Sequence, residues 1–291
     1  MQPTPFDGTS QPFTIGLKPL DLAQWLDRDA TFDAQLAEKR RLYRELPDEV
    51  FVEEADTRAA QTEVLDLIRT ATAERGEDSA NDATLALFGA DPPPLVAASL
   101  RVQEDLIIMR RGDNGWRLAA GSLCFPSSWT LTEKFGRPLQ DIHAPVPGFG
   151  AGTRNHELIE RMFDRLHQPV LRYNWSVQAG DALYHPLSND GRNERANARA
   201  VRFGDREINA SAFIRVERQT LRKLPGSGDV LFTIRIYLDP LGWLGQSPDR
   251  ATIAPAFAAQ LMALDEAQLD YKGLTADRDR LVAALVGISQ S

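Results

Sequence analysis

Residues 212–238, AFIRVERQTLRKLPGSGDVLFTIRIYL, decide the fold of this chain. Two segments rich in β-branched and aliphatic side chains, 212–218 and 230–238, are separated by the turn-forming sequence LPGSG at 224–228. Proline and glycine between two such segments favour a reversal of the chain direction. The stretch therefore predicts two strands that pair antiparallel.

The first of these strands carries an unusual density of charged and amide side chains. Strand alternation places Arg215, Glu217 and Gln219 on one face and Ile214 and Val216 on the other. Buried Arg and Glu need partners, which are usually each other or an ionic ligand. A solvated lattice of ion pairs on an open sheet face would give the same pattern, so both interpretations stay open.

Elements before this pair of strands extend the sheet. Residues 106–109 and 116–125 flank the sequence GDNG at 112–115, which is the turn chemistry of a β-hairpin. Residues 154–167 return to helical spacing, and residues 170–177 follow as a strand. Strands, then a helix, then further strands indicate an α+β fold, and we expect the functional site in this middle section.

Helices are predicted near both ends of the chain. Hydrophobic spacing indicates helices over residues 30–46 and 56–73 on one side of the sheet section and over 253–269 and 277–286 on the other. The polar stretch 188–197 lacks such spacing. It is therefore predicted to be a loop.

Composition and charge restrict the class of protein. The 291 residues include 33 basic and 41 acidic side chains, which gives a net charge of −8, and the basic residues form no dense cluster. Nucleic acid is therefore not expected as a partner. No apolar run approaches the length that spans a bilayer and no signal sequence opens the chain, so we expect a cytoplasmic protein without a membrane anchor. The single cysteine, Cys124, excludes an intramolecular disulfide.

A proline-punctuated segment, residues 124–147, carries the first candidate ligand. It contains the sequences CFPSSW, EKFGRP and IHAPVP and is predicted to be an extended loop. His143 follows Ile142 and precedes Pro145 and Pro147, which restrict main-chain rotation and would point the imidazole in one direction. The alternative is an ordinary, partly buried histidine that protein groups satisfy.

The strand around residue 173 carries a second candidate. Alternation would present Arg172 and Asn174 on one face while Tyr173 and Trp175 pack on the other. Ordinary strand packing with a surface arginine is the alternative. The pattern by itself does not choose between the two.

Several of these motifs, in this order and spacing, resemble the alpha subunit of the haem-dependent oxidative N-demethylase and its relatives. The resemblance extends from about Pro12 to Leu241. The matching motifs are PFTIGLKPL at 12–20, FPSSW at 125–129, KFGR at 134–137, IHAPVP at 142–147, RYNW at 172–175, ERQTLRKLP at 217–225 and FTIR at 232–235.

The resemblance implies a fold, a cofactor and a reaction. The fold is PAS-like, with an antiparallel sheet and flanking helices that hold b-type haem, elaborated at both ends by additional helices. The reaction is oxidation of a secondary or tertiary methylamine with release of formaldehyde, and electrons come from a separate flavin and iron–sulfur reductase. The domain organisation that follows is a flexible leader at 1–11, a haem-binding PAS-like domain at 12–245 and a C-terminal helical extension at 246–291.

A haem site needs an axial donor, an apolar slot and cations for two propionates. We expect His143 to be the axial ligand of the iron, with His185 as the alternative donor, and Cys124 to be a packed residue and not a thiolate ligand. The cofactor-binding residues that this assignment predicts are His143, Arg137, Arg172, Arg215, Arg218, Arg235, Trp129 and Trp175, with Arg218 the first choice for a propionate.

The amine would need a negative charge, because a dialkylamine is a cation near neutral pH. Glu217 is the expected anchor, with Gln219 beside it and Tyr173 as an aromatic wall; an ion pair between Glu217 and Arg215 is the competing interpretation. Two other classes of function also stay open. One is a PAS-type haem sensor without turnover, and the other is a structural module without haem.

Overall fold

A computed structural model describes residues 3–74, 83–203 and 207–290 of the chain. Its centre is one sheet in which neighbouring strands are antiparallel, with the order β1-β5-β6-β7-β3-β4-β2. The strands are β1 (Lys18–Pro19), β2 (Phe51–Glu53), β3 (Asp105–Gly112), β4 (Gly115–Ser122), β5 (Val170–Ala179), β6 (Ala212–Lys223) and β7 (Val230–Pro240). The predicted antiparallel pairing of residues 212–218 with 230–238 is confirmed by the register of β6 and β7.

Helices cover both faces of this sheet. The α-helices are α1 (Phe32–Glu45), α2 (Pro47–Val50), α3 (Arg58–Ala73), α4 (Pro94–Ser99), α5 (Leu131–Lys134), α6 (Leu139–His143), α7 (Arg154–Asp164), α8 (Asn189–Ala198), α9 (Ile208–Ser211), α10 (Arg250–Ala263), α11 (Glu266–Lys272) and α12 (Arg278–Gln290). Short 3-10 helices lie at Leu22–Gln24, Ala83–Phe88 and Leu241–Gln246. The α+β class is therefore confirmed.

The two faces of the sheet have different partners. One face packs on α5, α6 and α7 through a core that includes Ile107, Leu118 and Ile234. The opposite face packs on α10 to α12 at the β5 and β6 side of the sheet and on α3 and α4 at the β3 side. Because both faces are covered, an inward-facing charged residue can lie against either helical layer.

The β3–β4 hairpin forms where the sequence GDNG predicts a turn. Gly112 pairs with Gly115 at its end, and Gly115 adopts φ +96°, a main-chain conformation that favours glycine. The hairpin places Ile107, Met109 and Leu118 in the core beneath α5 to α7. Correct turn chemistry therefore fixes part of the apolar wall described below.

Three segments differ from their predicted secondary structure. Residues 188–197, predicted as a loop, form α8, which begins where the Ser188 hydroxyl accepts a hydrogen bond from Gly191 N at 3.1 Å. The proline-punctuated segment contains the short helices α5 and α6, so His143 ends a helix. The helix predicted over 253–269 is divided into α10 and α11 because Asp265 starts a new helix with a capping box.

The N-terminal segment is packed where the sequence predicted a flexible leader. Phe6 is 1% exposed, and its ring stacks on Phe257 of α10 with 4.3 Å between centroids. The Gln260 side chain also donates to the main-chain oxygen of Ser10 at 2.7 Å. The described part of the segment therefore belongs to the folded body, whereas Met1 and Gln2 lie outside the described residues.

Candidate functional site

A cavity of about 240 Å³ lies between the α5–α7 layer and the sheet, near the size of small-molecule sites in proteins. Strands β3 to β7 supply one side, and Arg192 and Arg195 of α8 and Tyr271 and Lys272 of α11 supply part of another. Residues that follow the N-terminal segment, including Phe13, complete the lining.

Most of the lining is apolar and aromatic, as a flat hydrophobic ligand requires. The apolar and aromatic lining residues are Phe13, Ile15, Leu17, Ile107, Met109, Leu118, Trp129, Leu139, Ile142, Val146, Phe149, Ile159, Met162, Phe163, Val177, Leu221, Phe232, Ile234 and Tyr271. They come from the α5–α7 layer, from the strands, from residues 13–17 and from α11, so packing of distant segments builds the cavity.

The polar lining is strongly cationic. Of the described residues that line the cavity, five carry a cationic side chain and Glu217 is the only carboxylate. The five are Lys134, Arg172, Arg192, Arg195 and Lys272. With both lining histidines neutral, the three arginines and Lys272 against Glu217 leave a net charge of +3. Lys134 adds only part of a charge near neutral pH, because burial lowers its pKa to about 7. This balance suits a ligand with more than one anionic group.

Arg172 combines burial with an incomplete set of partners. Its guanidinium donates from Nη2 to the main-chain oxygen of Thr14 at 3.1 Å, while its Nε has no partner among the described residues. Burial lowers the pKa of Arg172, with the charge of Glu217 opposing that shift. Arg172 therefore keeps donor capacity for an anion inside the cavity.

Helix α8 provides two more guanidinium groups. Arg192 donates to the main-chain oxygen of Ser128 at 2.5 Å and to Asn189 Oδ1 at 2.9 Å. Arg195 donates to the main-chain oxygen of Tyr271 at 2.9 Å, and its Nε is without a partner among the described residues. Burial, followed by the charges of Arg202 and Arg192, lowers the pKa of Arg195 to about 10, so it is still cationic at neutral pH.

His143 lines the cavity with a free ring nitrogen. No described residue provides a hydrogen-bond partner for its Nδ1, and the ring lies 6.3 Å from that of Phe149 between centroids. Burial, followed by the charges of Lys134 and Arg172, lowers the pKa of His143 to about 3. The imidazole is therefore neutral at neutral pH, the form that ligates a metal.

His185 also lines the cavity, so the two expected donors remain alternatives. Its main chain forms a bridge with Ser127, and its carbonyl oxygen accepts a hydrogen bond from Ser128 N at 2.9 Å. Burial, followed by nearby arginine charges of which Arg215 is the largest, lowers the pKa of His185 to about 4. The axial assignment to His143 stays a prediction.

Cys124 is buried behind the cavity and does not line it. Its main-chain N–H donates to Asp105 Oδ1 at 2.8 Å. Burial and then the Asp105 charge raise the pKa of the Cys124 thiol, so the thiolate form is disfavoured. This agrees with the expectation of a packed cysteine.

Glu217 lies in the cavity wall with its neighbours Asn174 and Gln219. It is 7% exposed. Its Oε2 accepts hydrogen bonds from Gln219 Nε2 at 2.7 Å and from Asn174 Nδ2 at 3.3 Å. No described residue donates to Oε1, which leaves that oxygen for a ligand.

The competing ion pair of Glu217 with Arg215 is not formed. Arg215 is fully buried outside the cavity lining and donates to the main-chain oxygens of Phe125 at 2.7 Å and Pro126 at 3.2 Å and to Gln178 Oε1 at 3.0 Å. Arg215 therefore fixes the segment that leads into the cavity wall, which corrects its expected position beside a propionate.

Arg218 and Arg235 lie on the opposite face of the sheet, away from the cavity. They are directly paired in the β6–β7 register. Arg218 donates to the main-chain oxygens of Trp25, at 2.8 Å, and Gln24, and Arg235 forms an ion pair of 2.7 Å with Asp29. Strand alternation places both arginines on the face opposite Glu217. Arg218, the first choice for a propionate partner, therefore does not line the cavity, and that prediction is corrected.

Tyr173 and Trp175 share that opposite face. Trp175 donates to Gln260 Oε1 at 3.0 Å and packs edge-on against Phe257, both in α10. Tyr173 packs against the same core and does not line the cavity. The expected aromatic wall from these two residues is therefore absent from the cavity.

Of the two remaining expected cofactor residues, Trp129 lines the cavity and Arg137 does not. Arg137 is exposed and does not line the cavity. Its Nε donates to the main-chain oxygen of Glu133 at 3.1 Å. Trp129 does line the cavity, and the Lys134 ammonium lies 4.3 Å from its ring centroid. Within the expected set, the cavity thus gathers His143, Trp129, Arg172, Glu217 and Gln219.

The sequence did not predict that the cavity lining would include Lys134, Arg192, Arg195, Tyr271 and Lys272. The two arginines stand three positions apart, a spacing that puts both on one side of a helix. This spacing indicates a shared face only where residues 188–197 form a helix, and the sequence predicted a loop there. The two α11 residues carry no such signal, because tertiary packing alone brings them to the cavity.

Two features are absent from the residues that the structure describes. Within residues 3–74, 83–203 and 207–290, no group of three or more His, Cys, Asp and Glu side chains could hold a metal ion. A haem iron needs only an axial donor from the protein, so this finding does not conflict with haem. Across the same described ranges, no helix has the length and hydropathy needed to cross a bilayer.

These features define an α+β protein with a cationic ligand cavity on one face of an antiparallel sheet. A sequence model of the family described as haem-dependent oxidative N-demethylase, alpha subunit-like, matches residues 16–282. Since this match covers most of the 291 residues, the chain belongs to that family. The resemblance deduced from the sequence motifs is thereby confirmed, and the family name points to a haem-dependent oxidative enzyme.

Proposed function

We propose that this chain binds haem b in the cavity and catalyses oxidative N-demethylation of a secondary or tertiary methylamine. The observation that carries the proposal is the neutral His143 imidazole, which lines an apolar cavity rimmed by cations. Membership of the family supplies independent support. The antiparallel sheet with flanking helices is consistent with the PAS-like type of fold that the proposal includes.

The residues present fit haem in two respects. His143 supplies a nitrogen donor, with His185 as the alternative. Arg172 and Arg195 each have a buried Nε without a partner among the described residues, and Arg192 lies beside Arg195, so the propionates would meet guanidinium groups that stay charged when buried. Bound haem supplies the iron redox chemistry that oxidises the methyl carbon of the amine.

Glu217 is the proposed anchor of the protonated amine. Asn174 and Gln219 both donate to its Oε2, so they orient the carboxylate and leave Oε1 to accept the ammonium hydrogen. The apolar lining excludes water and strengthens this pairing. In a cavity with a net positive charge, the amine would bind most favourably after an anionic cofactor has neutralised part of that charge.

The overall reaction also requires electrons and dioxygen. One methyl group becomes formaldehyde, the amine loses that methyl group, and dioxygen provides the aldehyde oxygen and one water after the input of two electrons and two protons. We propose that a separate flavin and iron–sulfur reductase subunit delivers the electrons in the cytoplasm. The family description "alpha subunit-like" supports a partner subunit.

The direct test combines the visible spectrum with formaldehyde release. The purified protein reconstituted with haem is supplied with dimethylamine or trimethylamine, dioxygen and a chemical reductant. A Soret band with amine-dependent formaldehyde agrees with the proposal. A Soret band without formaldehyde from either amine, when a reductase is also supplied, would instead favour the haem sensor, and no Soret band would leave a structural module.

A further inference from the structure

Lysine is scarce in this chain, and three of the five lysines face the interior or the cavity. Only five of the 33 basic residues are lysines. Lys18 and Lys223 are exposed, whereas Lys39 and Lys272 are buried and Lys134 lines the cavity. A buried lysine whose amine is not fully hydrogen-bonded is a candidate nucleophile.

The two other inward-facing lysines have their amines held by oxygen atoms. Lys39 Nζ donates to the main-chain oxygens of Val102 at 3.0 Å and Glu104 at 2.5 Å. Lys272 Nζ donates to the main-chain oxygen of Trp175 at 2.6 Å. Four oxygen atoms therefore surround the Lys39 amine, and the single bond of Lys272 directs its amine toward the main chain of β5.

Lys134 is different. No oxygen of the described residues accepts a hydrogen bond from its Nζ, and its contact is with the face of Trp129, 4.3 Å from the ring centroid. The Trp129 ring borders the amine on one side and accepts no conventional hydrogen bond that would occupy the nitrogen as a carbonyl oxygen would. The nitrogen is therefore placed in the cavity wall with room to react.

The charges around Lys134 favour its neutral form. Burial and then the charge of Arg192 on α8 lower the pKa of Lys134 to about 7, while Glu217 on β6 and Glu133 on its own helix oppose the shift. His143 on α6 also feels the Lys134 charge and is itself neutral. Near neutral pH a large share of the amine is thus unprotonated and nucleophilic.

We propose that Lys134 Nζ is a covalent acceptor site for small aldehydes that enter or arise in the cavity. The natural aldehyde would be the formaldehyde released by the proposed demethylation, so that part of the inference depends on the proposed function. The site itself does not, because a free aldehyde added to the protein should react in the same way.

The chemistry balances without any oxidant. The lone pair of the amine attacks the carbonyl carbon, the C=O π electrons move to oxygen, and a proton passes from nitrogen to oxygen to give a carbinolamine. Loss of that hydroxyl as water leaves an imine, N=CH₂, and hydrolysis returns the lysine and the aldehyde. The cavity would thereby retain formaldehyde reversibly and limit its escape.

The test is reductive trapping on haem-loaded protein with formaldehyde and cyanoborohydride. Cyanoborohydride delivers hydride to the imine carbon and leaves a methylated amine, which peptide mass spectrometry assigns to each lysine. Lys18 and Lys223 serve as internal references. At pH 7 the unprotonated fraction of Lys134 exceeds that of an ordinary lysine by on the order of 10³. We expect Lys134 to react at least about tenfold faster than the references, since a lower basicity and entry through the cavity mouth reduce the advantage.

The pH dependence and two variants sharpen this test. Trapping at Lys134 should reach half of its maximum near pH 7, because burial lowers the pKa of Lys134 to about 7. Lys134→Arg should abolish the fast-reacting site, because a guanidinium does not form an imine with the aldehyde. Lys223→Arg, the same change at an exposed lysine, should leave the fast site intact.

The outcomes separate this inference from the proposed function. If Lys134 is trapped no faster than Lys18 and Lys223 while haem binding and amine-dependent formaldehyde release are normal, the inference fails and the proposed function stands. If Lys134 is trapped fast in a protein that shows no demethylation, the aldehyde site stands and the proposed function fails.

Discussion

The N-terminal segment offers the sharpest test of how the cavity is closed. Phe6 is buried against Phe257, and Phe13, Ile15 and Leu17 farther along the same segment line the cavity. Phe6→Ala should therefore reduce stability and also loosen one side of the ligand site. A flexible leader would predict no effect on either property.

The expected magnitude follows from the burial of Phe6. Truncation of a fully buried phenylalanine typically costs about 3–5 kcal/mol, including the residual cavity. Because Phe6 lies near the end of the chain, its segment can detach before the rest unfolds, which limits the loss. We therefore expect the free energy of unfolding to fall by about 2–4 kcal/mol, with part of the haem lost at low protein concentration.

Urea unfolding measures the first effect and the Soret absorbance on dilution measures the second. Phe6→Leu keeps most of the apolar volume and should cost less than about 1.5 kcal/mol. Leu87→Ala is the exposed control, since Leu87 is 55% exposed, and should stay within about 0.5 kcal/mol of the parent protein. If the Phe6→Ala protein were as stable as the Leu87→Ala protein, the packing of the N-terminal segment against α10 would be contradicted.

Three further substitutions test the position of individual charges. Glu217→Gln should keep the haem band and abolish the amine-induced spectral shift, because the amide carries no negative charge for the ammonium. Arg172→Met should weaken haem binding about tenfold or more through loss of a buried guanidinium, whereas Arg137→Met, a change at an exposed arginine, should leave haem affinity unchanged. Arg218→Met should leave the haem spectrum unchanged and lower the free energy of unfolding by about 1–3 kcal/mol, since the buried carbonyl oxygen of Trp25 loses its donor.

One result would contradict each of these three predictions. A full amine response in Glu217→Gln would remove the carboxylate from substrate binding. Equal haem affinity in Arg172→Met and Arg137→Met would remove Arg172 from the cofactor site. Loss of haem from a folded Arg218→Met protein would show that the far face of the sheet matters to the site.

Local chemistry explains how much of the fold the sequence predicts. Strand alternation separated Arg172 and Asn174 from Tyr173 and Trp175 correctly, and the register of β5 with β6 confirms the two faces. Alternation does not say which face holds the ligand when helices cover both. Trp175 was therefore expected in the cavity but packs on α10 instead.

Tertiary contacts explain the main omissions at the site. Helix α8 has no hydrophobic stripe, and it is held by bonds such as Arg192 to Ser128 and Arg195 to Tyr271. Such pairs join segments far apart in the sequence, so periodicity cannot reveal them. Lys134 was overlooked for a related reason, because its significance comes from burial and from the charges that folding brings close to it.

Haem titration of three histidine variants tests the proposal that a cavity histidine ligates the haem iron. His143→Ala, His185→Ala and the exposed control His167→Ala are titrated with haem while the Soret band is recorded. We expect saturable binding of one haem by the unmodified protein, by His185→Ala and by His167→Ala, and a lost or shifted band in His143→Ala. Loss in His185→Ala alone would move the ligand to His185, and an unmodified protein that shows no saturable Soret band would contradict the account.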